Sequence, residues 1–313
     1  MGVLFAPICW IKPTSGRLNS LTRENELLVF IGTVPVKNLP LTFGFCKFEK
    51  GKLTVEGCEL PIINGTSAAL AAAYVTCETL NLPSPYAVIA GDTGLGDGSL
   101  QIYKFLESSF TPPSSNIVIA MHYLKPNIFH FRESLKALKK HDPILVADAG
   151  SMYVAKAAGT AKNFDLFTPD PGEMAFLADP EAVHPAYVRH YIFELVEEVP
   201  QLIRQAYEFS NASRVLLVKG VVDYIAKNGE IIETVKEPCI PALEVIGGTG
   251  DTLTGTVSAL ISCGYEVVEA AIKAAKINRL MGMLHGPSPA TKVWEMIPLI
   301  KDAIKMLEIK GGR

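Results

Sequence analysis

From about residue 62 onward, short apolar runs alternate with longer amphipathic stretches. Five runs are nearly continuous in apolar residues, a pattern typical of strands buried on both faces of a sheet. They are YAVIA (86–90), NIVIAM (116–121), PILVA (143–147), DLFT (165–168) and RVLLV (214–218). Helical patterns begin between them, near Thr66, Ser99, Phe129 and Ser151. This alternation predicts an α/β fold with a mostly parallel central sheet and helices on both of its sides.

Residues 1–61 have a different texture, because strand-like segments there are joined by turns without helical patterns between them. We expect a β-rich N-terminal extension, an edge of the sheet or a lid, attached to a core domain of residues 62–313. Residues 223–235 (DYIAKNGEIIETV) predict a hairpin whose tight turn is Asn-Gly. No linker or internal repeat interrupts the chain, so residues 1–313 are expected to form a single domain.

The charge balance argues against binding to nucleic acids or to anionic membranes. The 313 residues include 29 basic and 32 acidic side chains, a formal net charge of -3, which supplies no basic surface for a polyanion. Six cysteines are scattered without metal-ligand spacing, which favours reduced thiols and a cytoplasmic location. We expect small-molecule substrates and a homo-oligomer, with the first 61 residues as a lid or a subunit contact.

The segment GGTGDTLTG, residues 247–255, places a glycine loop in front of a carboxylate and an amphipathic helix. Glycines let the backbone approach an anion closely, and the first N–H groups of a helix point towards it. The predicted anion hole consists of Gly247, Gly248, Thr249 and Gly250, with Asp251 as the neighbouring base. The alternative is a simple turn in which Asp251 is the N-cap of the helix.

In an open parallel sheet, ligands bind beyond the carboxyl ends of the strands. Lys219 and Gly220 end the strand RVLLV, where a lysine can neutralise a phosphate; the alternative is a solvated lysine at a strand end. Asp148 ends another strand. Two interpretations stay open for it, a functional carboxylate and a helix cap.

Two further loops follow strands. The loop GDTGLGDGS (91–99) suits the approach of an anion, although its spacing is not that of a dinucleotide fingerprint and a plain turn explains it as well. In TPDPGE (168–173), Asp170 and Glu173 lie three residues apart at a helix start. They could hold a hydrated Mg²⁺, and the same spacing suits a capping box.

Several common catalytic motifs are missing from the sequence. It contains no GxxxxGK[ST] loop, no GxSxG elbow and no HExxH pair. The histidines show no paired metal spacing, so they are expected to be surface or packing residues. They are His122, His130, His141, His184, His190 and His285.

Taken together and in order, five segments resemble the ADP/ATP-dependent NAD(P)H-hydrate dehydratases of the ribokinase-like superfamily. The segments are AVIAGDTGLGDGS, PILVADAGSMYVA, LFTPDPGEMAFL, VLLVKGVVDYIA and GGTGDTLTG, and the resemblance covers roughly residues 62–285. It implies a three-layer α/β/α fold and an enzyme that uses ATP or ADP, with Mg²⁺, to restore hydrated NADH or NADPH.

The resemblance also implies roles for individual residues. The adenine nucleotide site would consist of Lys219, Gly220, Val221, Val222, Asp223 and Gly250. The hydrated dinucleotide would contact Gly96, Asp170 and Asp251. In ribokinase-like enzymes the aspartate of GxGD removes a proton from the substrate hydroxyl as it attacks the terminal phosphate. In a dehydratase the phosphorylated hydroxyl then leaves by elimination.

The sequence departs from the family pattern on the acceptor side. Asp170 replaces the histidine of TPHPGE, and Gly150 and Tyr153 replace the second aspartate and the asparagine of a DADALN-like segment. The glycine-rich KGxxG opening is also missing. Two alternatives therefore stay open, namely a kinase for another small alcohol that uses the same Asp251 and a nucleotide-binding regulator without turnover.

Overall fold

A computed structural model describes residues 26–183 and 195–311. The strands, numbered along the chain, are β1 (Leu27–Val34), β2 (Thr42–Glu49), β3 (Lys52–Val55), β4 (Cys58–Leu60), β5 (Tyr86–Gly91), β6 (Ile117–His122), β7 (Ile144–Asp148), β8 (Leu166–Phe167), β9 (Val215–Val218), β10 (Asp223–Lys227) and β11 (Glu230–Val235). The helices are α1 (Gly65–Thr79), α2 (Asp97–Ser108), α3 (Ile128–Leu138), α4 (Gly150–Ala157), α5 (Pro171–Ala178), α6 (Leu195–Glu208), α7 (Thr249–Ser262), α8 (Val267–His285), α9 (Val293–Met296) and α10 (Ile300–Met306). A 3₁₀ turn spans Pro241–Val245.

Within the described residues one eleven-stranded sheet has the order β11-β10-β9-β8-β7-β6-β1-β5-β2-β3-β4. The six central strands, from β9 to β5, pair in parallel. Antiparallel strands extend the sheet at both ends. The predicted fold class is confirmed, as are the five predicted strands and the four predicted helix starts.

The sheet lies between two apolar layers, and this explains the continuous apolar runs. Alternate residues of β1 show it directly, since Leu28 and Phe30 pack with α1, α7, α8 and α10, whereas Val29 and Ile31 pack with α2 to α6. Side chains of a strand point alternately to opposite faces, so a strand between two helical layers needs apolar residues at every position.

Helices α1 and α7 pack closely behind the glycine loop. A Cβ on Gly255 would collide with the carbonyl oxygen of Ala69, so the small residues of SAALAAA and of α7 permit this approach. No helix among residues 26–183 and 195–311 combines the length and apolar character that crossing a bilayer requires.

The N-terminal segment is not a single extension. The structure places β1 in the middle of the sheet, between β6 and β5, with all eight of its residues buried. Of the strands that precede residue 62, β2, β3 and β4 lie at one end of the sheet. The predicted boundary at residue 62 therefore separates β1 from the parallel strands with which it pairs, and residues 1–25 lie outside the described part of the chain.

The predicted hairpin is confirmed, because β10 and β11 pair antiparallel across Asn228 and Gly229. Both turn residues have positive φ angles, 54° and 86°, which is why Asn-Gly suits this turn. The hairpin continues from β9, so the segment 219–222 between β9 and β10 is a short loop at the carboxyl end of the sheet.

Candidate active site

A cavity of about 640 Å³ opens at the carboxyl ends of the parallel strands. The loops after β7, β8 and β9, the start of α7, one face of α8 and the turn Pro241–Val245 form its walls. The predicted site residues that line it are Asp170, Glu173, Lys219, Gly220, Val221, Asp223, Gly248, Thr249, Gly250 and Asp251. Gly247 lies just outside, beside Asn64, while Val222 and Gly96 do not line the cavity.

Asp251 does not cap its own helix. The N-cap of α7 is Gly248, with a φ of 102°, and the helix begins at Thr249. The Asp251 carboxylate instead accepts a 2.6 Å hydrogen bond through Oδ2 from the backbone N–H of Gly65, at the start of α1. The contact between α1 and α7 thus holds this carboxylate at the cavity wall, and the alternative of a simple capped turn is not what the structure shows.

The glycine loop has little room for side chains. A Cβ on Gly248 would lie 2.9 Å from Cγ1 of Val293, and its left-handed backbone adds strain for any other residue. A Cβ on Gly250 would lie 3.6 Å from Nζ of Lys219. The lysine ammonium and the first N–H groups of α7 therefore face the same region, as an anion site requires.

Asp148 and Lys219 form a buried ion pair. The lysine Nζ lies 2.9 Å from each carboxylate oxygen, with the side chains 13% and 2% exposed. Asp148 also accepts hydrogen bonds from the Thr254 hydroxyl at 2.6 Å and the Ala149 N–H at 2.8 Å. The N-cap residue of α4 is Ala149, so Asp148 is not a helix cap. Because the Lys219 ammonium is buried in its pair with Asp148, Lys219 is not a solvated lysine at a strand end.

His122 is part of this cluster, which corrects the expectation of a surface or packing histidine. Its ring is fully buried, and Nε2 lies 3.3 Å from Oδ2 of Asp148 and 3.3 Å from Oδ1 of Asp251. The spacing is that of ion pairs, since neither contact is aligned as a hydrogen bond. The residue ends β6 as Asp148 ends β7, and its position at a strand end was the signal in the sequence that could have identified it. His184 and His190 lie outside the described residues.

The charges of the cluster are strongly coupled. Burial alone would lower the pKa of His122, but the carboxylates of Asp148 and Asp251 outweigh it and raise that pKa to about 9. Burial would raise the pKa of Asp148, yet the Lys219 ammonium and the His122 imidazolium hold it well below its usual range. At neutral pH the site thus holds two buried cations beside two carboxylates.

The loop between β9 and β10 is held by a buried arginine that the sequence analysis missed. Arg279 Nε donates to Asp223 Oδ2 at 2.8 Å, and its Nη2 donates to the carbonyls of Gly220 and Val221 at 2.9 Å each. Asp223 in turn accepts from the Gly220 N–H at 3.1 Å. The sequence offered one signal for Arg279, namely a charged residue among the apolar residues of the predicted helix. That signal did not indicate that Asp223 is its partner.

The neighbouring residue of α8 holds the glycine loop. Asn278 Nδ2 donates to the Thr249 carbonyl at 3.1 Å, and Oδ1 accepts from the Thr252 hydroxyl at 2.7 Å. One turn of α8 therefore positions both the loop 219–223 and the start of α7. Neither loop can shift without leaving buried polar groups of α8 unpaired.

Asp170 and Glu173 form a capping box at the start of α5. Asp170 Oδ1 accepts from the Glu173 N–H at 2.7 Å, and Glu173 Oε2 accepts from the Asp170 N–H at 2.9 Å. Tyr153 donates to Glu173 Oε1 at 2.6 Å. Burial, with the nearby Asp170 and Asp148 carboxylates, raises the pKa of Glu173 to about 8. The structure assigns both carboxylates to the helix start, and their role in holding Mg²⁺ stays a prediction.

Gly96 lies away from the cavity. Its loop is closed by Asp92, which accepts hydrogen bonds from the backbone N–H groups of Gly94, Gly96 and Ser99. Strand β1 separates β5, which precedes this loop, from β6. Tyr123, directly after β6, lines the cavity instead. Asp92 thus closes this loop as a turn, and a contact of Gly96 with the hydrated dinucleotide stays a prediction.

The ligand atoms of His122, Asp148 and Asp251 lie within 4.8 Å of one another, a spacing that could accommodate a metal ion. The Lys219 ammonium already contacts both oxygens of Asp148, and His122 holds its proton at neutral pH. A divalent cation here would have to displace that proton and lie beside the ammonium, so this donor set suits the protein's own cations better.

Comparison with protein families gives a match over residues 132–295 to the family described as NAD(P)H-hydrate dehydratase. The chain is 42% identical over 237 residues to an uncharacterised protein of Methanocaldococcus jannaschii, covering 75% of this chain and 98% of that protein. It is 34% identical over 148 residues to the ADP-dependent (S)-NAD(P)H-hydrate dehydratase of Nitrosopumilus maritimus. That match spans 47% of this chain and 46% of that protein.

Solved structures show the same fold. The ADP/ATP-dependent NAD(P)H-hydrate dehydratase of Bacillus subtilis, co-crystallised with ATP and Mg²⁺ and soaked with CoA, superposes with a TM-score of 0.56 at 15% identity, covering 91% of this chain and 93% of that one. The tetrameric inhibited form of phosphofructokinase-2 from Escherichia coli superposes with a TM-score of 0.50 at 12% identity, covering 90% and 99%. At these identities the likeness concerns the ribokinase-like fold.

Proposed function

Because the chain belongs to the NAD(P)H-hydrate dehydratase family, we propose that it uses ADP or ATP to dehydrate hydrated NADH or NADPH. The observation that carries this proposal is the position of Asp251. Its carboxylate lies in the first turn of α7, directly after the glycine loop and in the same cavity as Lys219. A base beside an anion site is what phosphoryl transfer to a hydroxyl requires.

The phosphates of the nucleotide bind at the glycine loop in this proposal. Backbone N–H groups at the start of α7 and the Lys219 ammonium face that region and stabilise negative charge. The rest of the nucleotide lies along residues 219–223, whose backbone Arg279 holds in place. A loop that is already ordered loses little conformational entropy on binding.

The reaction then proceeds in two stages. Asp251 accepts the proton of the substrate hydroxyl, and the hydroxyl oxygen attacks the terminal phosphorus of the nucleotide. One O–P bond forms to the substrate as the O–P bond to the leaving nucleotide breaks. In the second stage the substrate C–O bond breaks, phosphate leaves with the bonding electrons, and a proton is lost from the neighbouring carbon. The C=C bond of the reduced nicotinamide is thereby restored.

Mg²⁺ fits this site as a companion of the phosphates. Asp170 is exposed at the cavity wall, and a carboxylate near a polyphosphate is repelled unless a cation lies between them. Asp170 and Glu173 are the residues proposed to face the hydrated ion, which would neutralise phosphate charge. Calorimetric titration with ATP, with and without EDTA, tests the requirement, and equal affinities would contradict it.

The decisive experiment supplies chemically hydrated NADH together with ADP or ATP and follows the absorbance of the reduced nicotinamide. Recovery that depends on the nucleotide supports the proposal, and omission of protein provides the background rate. Running ADP and ATP in parallel also establishes which nucleotide is used. Binding of nucleotide without recovery of absorbance would contradict dehydratase activity.

A second candidate is a kinase for another small alcohol, and the acceptor side of the cavity favours it. Asp170 occupies the position of the family's histidine, and Tyr153 hydrogen-bonds Glu173 where the family has an asparagine. These changes leave the glycine loop and Asp251 intact. Phosphorylation of an added alcohol, without recovery of reduced nicotinamide, would identify this activity.

A cytoplasmic location and a homo-oligomer are also proposed, and sedimentation velocity tests the oligomeric state.

A further inference from the structure

The proposed reaction uses Asp251 and Lys219 but assigns no task to His122, although His122 lies between the two carboxylates. Its Nε2 is 3.3 Å from an oxygen of Asp148 and 3.3 Å from an oxygen of Asp251. Its Nδ1 is 3.1 Å from the hydroxyl of Thr66 in the first turn of α1. The preceding residue, Gly65, donates its N–H to Asp251. Nδ1 is thus within hydrogen-bond distance of Thr66, while Nε2 lies at ion-pair distance from both carboxylates.

The charges around the cavity explain why a cation is needed at this place. Asp148 and Asp251 contribute two negative charges, and Lys219 offsets one of them. A nucleoside diphosphate or triphosphate brings further negative charge to the adjacent glycine loop. Two carboxylates compensated by a single ammonium would repel it in a site that is largely shielded from water.

We propose that His122 is a positioning residue whose imidazolium orients the Asp251 carboxylate and offsets its charge, so that a nucleoside polyphosphate binds beside it. The inference rests on the proposed function, because it concerns the base and the anion site of that reaction. The ring is a positioning group because it contacts Asp251 and Asp148, while the glycine loop and Lys219 meet the phosphates.

The surroundings of His122 favour the charged ring. The charged or titratable groups that face it are Asp148 from β7, Asp251 from α7 and the adjacent Tyr123, whose ring centre is 4.8 Å away. Phe30 of β1 packs on the ring at 5.8 Å and is neutral. Because the two carboxylates raise the pKa of His122 to about 9, it carries its proton throughout the neutral range.

The test measures the affinity for ADP as a function of pH by calorimetry for the wild type and for H122Q. Glutamine retains an amide donor but carries no charge. We expect the wild type to bind ADP about tenfold more tightly than H122Q near pH 7.5, with the ratio falling towards one as the pH rises above 9. Glu173, which titrates near pH 8, is present in both proteins and cancels in the ratio.

The matched control is H130Q, which removes a histidine of α3 that contacts the Glu107 carboxylate of α2 at 2.8 Å and does not line the cavity. Its ADP affinity should equal that of the wild type at every pH. A ratio of wild type to H122Q that does not change with pH would overturn the inference while leaving the proposed function standing. A wild type that binds no ADP at any pH would contradict the proposed function itself.

A second measurement decides the question if H122Q does not fold. The imidazole carbon resonance of His122 in the wild-type protein is followed by NMR as the pH is raised. An ionisation midpoint above pH 8 supports the charged ring, and a midpoint below pH 7 overturns the inference.

Discussion

The two sides of the cavity are built in different ways. On the side proposed for the nucleotide, the loop 219–223 and the start of α7 are both held by buried side chains of a separate element, α8. On the side proposed for the acceptor, the start of α5 is held by its own residues, since Asp170 and Glu173 cap each other.

This difference indicates where the protein can accommodate chemical change. A loop held by a buried guanidinium cannot move without exposing or unpairing that charge, so its backbone is fixed before a nucleotide arrives. A loop closed by its own aspartate can change sequence without disturbing the core. Two of the departures from the family pattern belong to this self-capped helix start, since Asp170 is its N-cap and Tyr153 donates to Glu173.

The largest expected effect comes from D251N, which should separate chemistry from binding on the nucleotide side. Loss of the base should lower turnover by about 10² to 10⁴. ADP affinity should stay the same or increase, because the glycine loop and Lys219 are unchanged and one negative charge beside the phosphates is removed. Steady-state kinetics and calorimetry measure the two properties. D302N, on the exposed surface of α10, should change neither, and normal turnover in D251N would remove Asp251 from its role.

Replacement of Arg279 tests whether α8 holds the nucleotide side. R279M leaves the buried Asp223 carboxylate and two loop carbonyls without their donor, so the free energy of unfolding should fall by about 3–5 kcal/mol. The control is R214M, which breaks a surface pair with Asp165 and should cost less than about 1 kcal/mol. Denaturant titration of both variants measures the difference, and equal losses would contradict a clamp at α8.

The free energy of unfolding should depend on pH through His122, which lies between Asp148 and Asp251. Its pKa of about 9 in the folded protein exceeds the ordinary 6.5, so its contribution is complete below pH 6.5 and is lost as the pH rises through 9. This loss should amount to about 3 kcal/mol. It should be absent from H122Q in denaturant titrations at pH 6 and pH 10, whereas the same loss in both proteins would assign it to other groups.

The smallest effects come from a pair of alanine substitutions, one in the loop after β5, outside the cavity, and one in the glycine loop. Gly96 has a φ of 90°, so G96A should cost about 1–2 kcal/mol of stability and leave ADP affinity unchanged. G250A meets Lys219 only at ordinary contact distance, so it should fold normally but weaken ADP binding, since its methyl group occupies the approach of the phosphate. Loss of ADP affinity in G96A would show that the loop after β5 contributes to the nucleotide site.

Local patterns sufficed for much of the fold and for part of the site. The buried strands and the Asn-Gly hairpin were predictable because apolar periodicity and turn residues act over a few neighbouring positions. Lys219 and Asp251 were identified because each follows a strand or a glycine loop. His122 and Arg279 were missed, because a histidine after an apolar run and an arginine in a helix become informative only when their partners, far away in sequence, are known.

The sequence by itself determined the α/β alternation, the glycine loop and the presence of a carboxylate beside it. Only the tertiary structure decided that β1 is central, that Asp251 binds the Gly65 N–H across 186 positions of sequence, and that His122 joins two carboxylates. The physical reason is that strand and turn propensities act locally. The charge state of a buried group depends instead on which distant side chains the fold brings within a few ångströms of it.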